Sequence, residues 1–292
     1  MDRDHLLDDA TLVEVIERRF SCRTYLDRPV EVEKQRLLDA YMQARGGGPF
    51  GSVTRFRLIA AEGADREALR GLGTYGFIKG ATGFILGAVA HGPKRLEDFG
   101  YSMELVVLYA TQLGLGTCWL GGTFTKSRFA ERLDLRQDEV MPCVIALGYV
   151  SEKRTLVDRM VRRGADGLHR YPWERLFFDG GFGTPVGREA CGAYALPLEM
   201  VRRAPSASNK QPWRIVRDGA AWHFYLQRTP GYGQTTRALV SVDLQRVDMG
   251  IAMSHFQRTA EAHGLFGQWV VQEPGFEKPD EVTEYVVSWQ AD

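Results

Sequence analysis

Ala204-Pro205-Ser206-Ala207-Ser208-Asn209-Lys210-Gln211-Pro212-Trp213 follows a basic helix end, Arg202-Arg203, and leads into the apolar run Trp213 to Val216. Two prolines, two serines and an asparagine exclude both a continuing helix and a central strand, so the stretch reads as a loop. Such a loop gathers hydroxyls, an amide and free backbone N–H groups at one point, which suits a planar, acceptor-rich heterocycle. Beyond it, Asp218-Gly219 marks a hairpin turn between Trp213 to Val216 and Trp222 to Leu226.

Outward from the loop, the strongest pattern is a repeat. Glu97 to Leu113 and Asp243 to His263 both read as long, largely apolar helices. Gly100 and Gly250, Met103 and Met253, Ala110 and Ala260, Gly114 and Gly264, Leu115 and Leu265, Trp119 and Trp269 all pair at one offset of 150 residues. A helix closed by Gly-Leu with a Trp five residues later, recurring without a gap, indicates duplication. A period of half the chain means two related domains rather than a solenoid. The glycine-rich stretch 180–185 is the best linker, giving domains 1–179 and 185–292.

A second polar motif stands near the start of the chain, in Arg18-Arg19-Phe20-Ser21-Cys22-Arg23. Arginine, serine and arginine at alternate positions after a helix end can hold a phosphate dianion through guanidinium and hydroxyl donors. This Arg-x-Ser-x-Arg pattern, together with Pro-Ser-x-x-Asn-x-Gln-Pro-Trp in the loop above, resembles the nitroreductase-like flavoproteins. The resemblance implies an α+β fold of two nitroreductase-like halves packed as a pseudo-dimer. Each half would hold an antiparallel-rich mixed sheet, flanking helices and a long central helix. It also implies FMN as cofactor. Arg19, Ser21 and Arg23 would hold the flavin phosphate, with Arg18 outside the pattern. Pro205, Ser206, Ser208, Asn209 and Gln211 would meet the ring and ribityl chain. Leu120, Gly121 and Gly122 would pass near the reactive N5, and Arg170 would return to the phosphate, with Arg162 and Arg163 left open for that role.

The halves are unequal at these motifs. The first carries Arg-x-Ser-x-Arg but only Gly46-Gly47-Gly48-Pro49-Phe50-Gly51 where the second carries the Pro-Ser-Asn loop. The second has no Arg-x-Ser-x-Arg between Arg188 and Leu198. In nitroreductase-like homodimers each site takes one motif from each subunit. The chain therefore resembles a fused dimer that keeps one composite site and has lost the other. By the same resemblance NADH or NADPH is the electron donor and a nitroaromatic, quinone or similar small molecule the acceptor, in a ping-pong reaction. No catalytic side chain is implied, because the flavin carries the chemistry. Lys210 and Arg203 are the cations positioned to favour reduced flavin. Two other readings remain: a flavin-binding or flavin-buffering protein without turnover, and an interaction protein on the same scaffold without flavin.

Composition narrows the partners. The 292 residues carry 37 Lys+Arg against 37 Asp+Glu, so no global field draws in nucleic acid or an anionic membrane. The apolar run Phe84 to Ala90 is too short to span a bilayer. The start of the chain lacks a basic-then-apolar signal pattern, and the expected location is the cytoplasm. Cys22, Cys118, Cys143 and Cys191 have no Cys-x-x-Cys or His at ligand spacing, so they read as buried or incidental thiols with no metal. Gly71-Leu72-Gly73-Thr74-Tyr75-Gly76 matches G-x-G-x-x-G, but no strand precedes it, so it is not a dinucleotide fingerprint. Pro142 places the run Val140 to Val150 at a sheet edge or a strand start. Whether the fused chain acts alone or oligomerises further stays open.

Overall fold

Each half of the chain builds one antiparallel-rich sheet, and the two sheets share a strand order. The structure is a computed structural model that describes residues 9, 11–45, 47–61, 67–152, 169–232 and 242–292. In chain order the first elements are α1 (Leu12–Arg18), α2 (Val32–Gln43), β1 (Thr54–Ala60), β2 (Gly83–Ala90), α3 (Arg95–Gln112) and β3 (Gly116–Leu120). They are followed by α4 (Lys126–Leu133), β4 (Glu139–Val140) and β5 (Val144–Gly148). Then come β6 (Phe177–Asp179), α5 (Ala195–Arg203), β7 (Trp213–Asp218), β8 (Ala221–Gln227), α6 (Leu244–Ala262), β9 (Gly267–Val270) and β10 (Thr283–Ala291). The first sheet runs β1-β2-β5-β3, with β4 pairing β2. The second runs β7-β8-β10-β9, with β6 added beside β7. Every pairing is antiparallel except β6 with β7.

The two helices paired in the sequence repeat are α3 and α6, each lying in sequence between the second and third of the four strands whose order the sheets share. Residues 97–111 of α3 are buried without a break, as is most of α6, which is why both read as apolar all round. Each ends in the same Schellman closure. Gly114 takes φ +79° and Gly264 φ +75°, a left-handed position that glycine adopts without a Cβ clash. Leu115 N donates to Ala110 O at 3.0 Å and Leu265 N to Ala260 O at 2.9 Å. Gly114 N and Gly264 N close onto Thr111 O and Glu261 O in the same way. The paired Trp119 and Trp269 then fall on β3 and β9, and each indole returns a hydrogen bond to its own long helix. Trp119 Nε1 donates to Glu104 Oε2 at 2.8 Å, and Trp269 Nε1 to Gln257 Oε1 at 2.6 Å.

The chain divides into two compact units, Met1–Asp8 with Arg18–Gly167, and Asp9–Glu17 with Leu168–Asp292. The first unit closes its core around β2, where Phe84, Leu86 and Ala88 meet Phe124 and Phe129. Cys22, Cys118 and Cys143 are buried free thiols in this unit, and Cys191 is one in the second. The second core is aromatic, with Trp213, Trp222, Phe224, Phe256 and Trp289 all fully buried. Each such side chain contributes roughly 1.5–3 kcal/mol or more of transfer free energy. Within the second unit, Glu17 pairs with Arg203 at 3.3 Å and Asp9 with Arg258 at 2.6 Å, so the start of the chain belongs to the fold of its far end.

One local reading is corrected and another is narrowed. The glycine-rich stretch 180–185 is not a linker but the turn of a tight reversal. Asp179 N donates to Thr184 O and Val186 N to Phe177 O, and the Phe182 ring packs edge-on against Tyr225 at 4.9 Å. Pro142 takes the second of its two expected places, a strand start rather than a sheet edge. It lies in the break between β4 and β5, and β5 is an inner strand with neighbours on both sides, free to pair because the proline precedes it.

Candidate functional site

The loop after α5 is held in a conformation that its sequence alone does not favour. Ser208, Asn209 and Gln211 all take left-handed φ angles of 49°, 54° and 46°. For non-glycine residues each such position costs on the order of 1–2 kcal/mol, least for asparagine. A loop with three of them persists only where surrounding bonds over-determine it.

Those bonds come largely from the residues around Arg170, in the same compact unit. The Arg170 guanidinium donates to Asn209 Oδ1 at 2.8 Å and to Arg203 O at 3.2 Å. Asn209 Nδ2 donates to His169 O at 2.8 Å. Gln211 is almost wholly buried and its amide is consumed internally. Its Oε1 accepts from Tyr171 N at 2.9 Å, and its Nε2 donates to His169 O and Asn209 O, both at 3.3 Å. Ser206 Oγ accepts from Gln211 N at 2.9 Å, and Asp248 Oδ1 accepts from Ala207 N at 2.9 Å. Pro205 is buried, whereas Ser208 is exposed with its Oγ 3.3 Å from the Tyr232 hydroxyl. Of the two cations singled out, Arg203 is tied to Glu199 and Glu17, while Lys210 lies 5.9 Å from the Tyr232 ring. Below the loop the buried Arg214 donates to Gln211 O at 3.0 Å, and desolvation lowers its pKa to about 10.

In the first unit the Arg-x-Ser-x-Arg segment runs beside β3. Ser21 pairs in parallel with Thr117, and Cys22 N donates to Thr117 O at 2.8 Å. The same segment is flanked on its other side by Lys79, whose N–H bonds to Arg23 O at 2.9 Å. Ser21 and Arg23 are half-buried at this edge. Arg19 is buried, 3.9 Å from the fully buried Glu104, and desolvation lowers its pKa. Its buried Nε has no hydrogen-bond partner among the described residues. Leu120 ends β3 as a buried residue, and Gly121 and Gly122 continue from it into an exposed bend. The phosphate motif and the glycine pair thus share one strand edge.

Arg162 and Arg163, the other cations considered for the phosphate, lie outside the described residues, as does Arg159. Sequence reasoning did not single out Tyr171, Tyr232 or Asp248, which the fold brings to the loop. A signal existed for Asp248 alone, because it stands 150 residues after Asp98. A cavity of about 580 Å³ in the first unit is lined by Leu69, Leu72, Thr74, Ile78 and Phe84 among others, and by none of the singled-out residues. Among the described residues no three His, Cys, Asp or Glu side chains are grouped to hold a metal ion. No helix there is long and apolar enough to cross a membrane.

Two sheets of one topology, with a loop rich in donors on one and a guanidinium–hydroxyl segment on the other, define a nitroreductase-type scaffold. Comparison with known proteins agrees. The family described as "Putative TM nitroreductase" matches residues 11–178 and 192–260, and the chain belongs to this nitroreductase family of oxidoreductases. A protein of Archaeoglobus fulgidus described as "Putative NADH dehydrogenase/NAD(P)H nitroreductase" is 28% identical over 177 residues, covering 55% of this chain and 98% of that protein. A crystal structure of a nitroreductase-type protein from Thermotoga maritima covers 99% of this chain and 98% of its own, with a TM-score of 0.58 at 19% identity. That likeness establishes the fold over both halves. An FMN-dependent nitroreductase of Clostridium difficile aligns with 48% of this chain and 88% of its own at 22% identity, with a TM-score of 0.37.

Proposed function

We propose that the chain is an FMN-dependent NAD(P)H oxidoreductase that uses one flavin site per polypeptide. The site draws its phosphate donors from Arg19, Ser21 and Arg23, and its ring and ribityl contacts from the loop Pro205 to Gln211. The observation that carries this reading is the set conformation of that loop. Three left-handed residues are braced by Arg170, His169 and Tyr171, so the loop's conformation is fixed before any ligand arrives. Pre-organisation of this kind lowers the entropic cost of binding.

The residues present fit the cofactor. Ser21 and Arg23 supply a hydroxyl and a guanidinium at one strand edge, and the buried Nε of Arg19 lacks the acceptor that a phosphate oxygen would provide. Gly121 and Gly122 offer backbone without side chains where a flat ring needs close approach. When bound, FMN supplies the redox chemistry, accepting hydride from NAD(P)H and passing electrons to a nitroaromatic, quinone or similar acceptor. The protein's part is to bind, orient and tune. Lys210 is the cation best placed to favour a negatively charged ring, because Arg203 is already paired with two carboxylates. The A. fulgidus relative's description supports the nicotinamide donor.

The test is anaerobic. NADH or NADPH added to FMN-loaded protein should bleach the visible flavin band, and a quinone or nitroaromatic should restore it. Bound flavin that neither donor bleaches would replace this reading with that of a flavin-buffering protein.

A further inference from the structure

Asp98 and Asp248 occupy the same place in the two halves, 150 residues apart and near the N-terminal ends of α3 and α6. Each receives a backbone N–H from the loop that leads into the first long strand of its sheet. They do so differently. Asp98 is fully engaged, with Phe50 N donating to Oδ1 and Ser52 N to Oδ2, both at 2.8 Å. Its loop is pressed so close that a Cβ on Gly48 would lie 2.4 Å from Oδ1. Asp248 takes only Ala207 N, at 2.9 Å on Oδ1, and its buried Oδ2 has no hydrogen-bond partner among the described residues.

We propose that Asp248 is the positioning residue that sets the flavin-facing loop, while Asp98 performs a purely structural version of the same latch in the half that has lost its site. The proposal rests on the flavin reading above. Ala207 immediately precedes the left-handed pair Ser208 and Asn209. Asn209 itself is held by Arg170 and His169, and beyond the pair Gln211 is held by Tyr171. Upstream, at Ala207, the bond to Asp248 is what fixes where the left-handed turn begins. Without it the turn can relax towards ordinary φ angles and carry Ser208 and Asn209 out of place. Burial raises the Asp248 carboxyl well above its usual range, with Ala207 N–H opposing and the Asp243 charge reinforcing. Asparagine keeps the carbonyl oxygen that accepts from Ala207 N–H and is the nearest substitute.

The experiment titrates FMN into flavin-free protein by fluorescence quenching and follows thermal unfolding of each flavin-free variant. Asp248→Ala should weaken FMN binding about tenfold, and Asp248→Asn should stay within about threefold of wild type. Asp98→Ala should lower the unfolding midpoint as much or more, yet leave FMN affinity unchanged. Backbone hydrogen exchange across 205–211 in flavin-free protein should quicken in Asp248→Ala and not in Asp98→Ala. Asp248→Leu, which fills the volume and removes only the acceptor, gives the same reading where the alanine variant does not fold. Wild-type affinity in Asp248→Ala would overturn the proposal and leave the flavin reading intact. So would an equal loss of affinity in Asp98→Ala. Failure of wild-type protein to bind FMN at all would remove both.

Discussion

Arg170 donates a 2.8 Å hydrogen bond to Oδ1 of Asn209, 39 residues further along the chain. The same guanidinium reaches Arg203 O, so one side chain ties the end of α5 to the crest of the loop. A cation expected to reach a ligand phosphate is thus also a brace for the loop that would meet the ring. Hydrogen bonds from a charged donor are worth about 1.5–3 kcal/mol. Arg170→Ala should therefore weaken FMN binding by about ten- to a hundredfold. Arg170→Lys keeps the charge but not the planar fork, and should fall between the two. A fluorescence titration at fixed ionic strength measures both, and equal affinity in all three proteins would refute the bracing role.

The split of motifs between the halves makes a paired prediction. Arg23→Ala in the first half and Asn209→Ala in the second should each lower FMN affinity about tenfold or more. Pro49→Ala, in the loop latched by Asp98, should leave it within twofold. Isothermal titration of the three variants decides the matter. A flavin-dependent effect at Pro49 would mean that the first-half loop still serves a site.

Acidity offers a check on Asp248. Its folded carboxyl holds a proton more tightly than the unfolded one, whose usual value is 3.8. The stabilisation this brings is complete below that value and is lost as pH rises through the raised folded pKa. Asp248→Asn has no proton to lose. Its unfolding midpoint, compared with wild type, should therefore improve steadily from pH 4 towards pH 7. A gap that stays constant over that range would show that the carboxyl is already ionised in the folded protein.

The two matched tryptophans should respond unequally. Trp119 Nε1 donates to Glu104, which is fully buried and loses a partner it cannot replace with water. Trp269 Nε1 donates to Gln257, which is only partly buried. Trp119→Phe should cost about 1–3 kcal/mol in urea unfolding, beyond the small loss of ring volume. Trp269→Phe should cost about 1 kcal/mol or less. Similar values for both would mean that Glu104 finds another donor.

The repeat was legible because it rests on local signals. Gly-Leu after an apolar helix dictates a Schellman closure wherever it occurs, and the bonds at Gly114 and Gly264 are the same bonds. The Pro-Ser-Asn loop was legible as a loop, but its braces were not. Among the described bonds to the loop, His169 contributes a carbonyl and Tyr171 an N–H, and backbone groups leave no mark in a sequence. The assignment of Asp9–Glu17 to the second unit depends on ion pairs spanning most of the chain, which no local pattern encodes. Phe177-Phe178-Asp179 is three residues long, too short to show a strand period, so the parallel pairing of β6 with β7 stayed hidden and its glycine turn read as a linker. Pro142 left a sheet edge and a strand start both open, since a proline just before a strand and one inside it look alike when boundaries are uncertain, and the structure takes the strand start.

The amount of flavin that one chain holds decides between one site and two. Protein saturated with FMN and freed of excess should release, on heating, about one FMN per polypeptide, as read from the visible spectrum of the supernatant. Two per chain would contradict the loss of the second site and return the loop around Gly48 to function. None, even after saturation, would leave the nitroreductase fold in place and remove the flavin chemistry proposed for it.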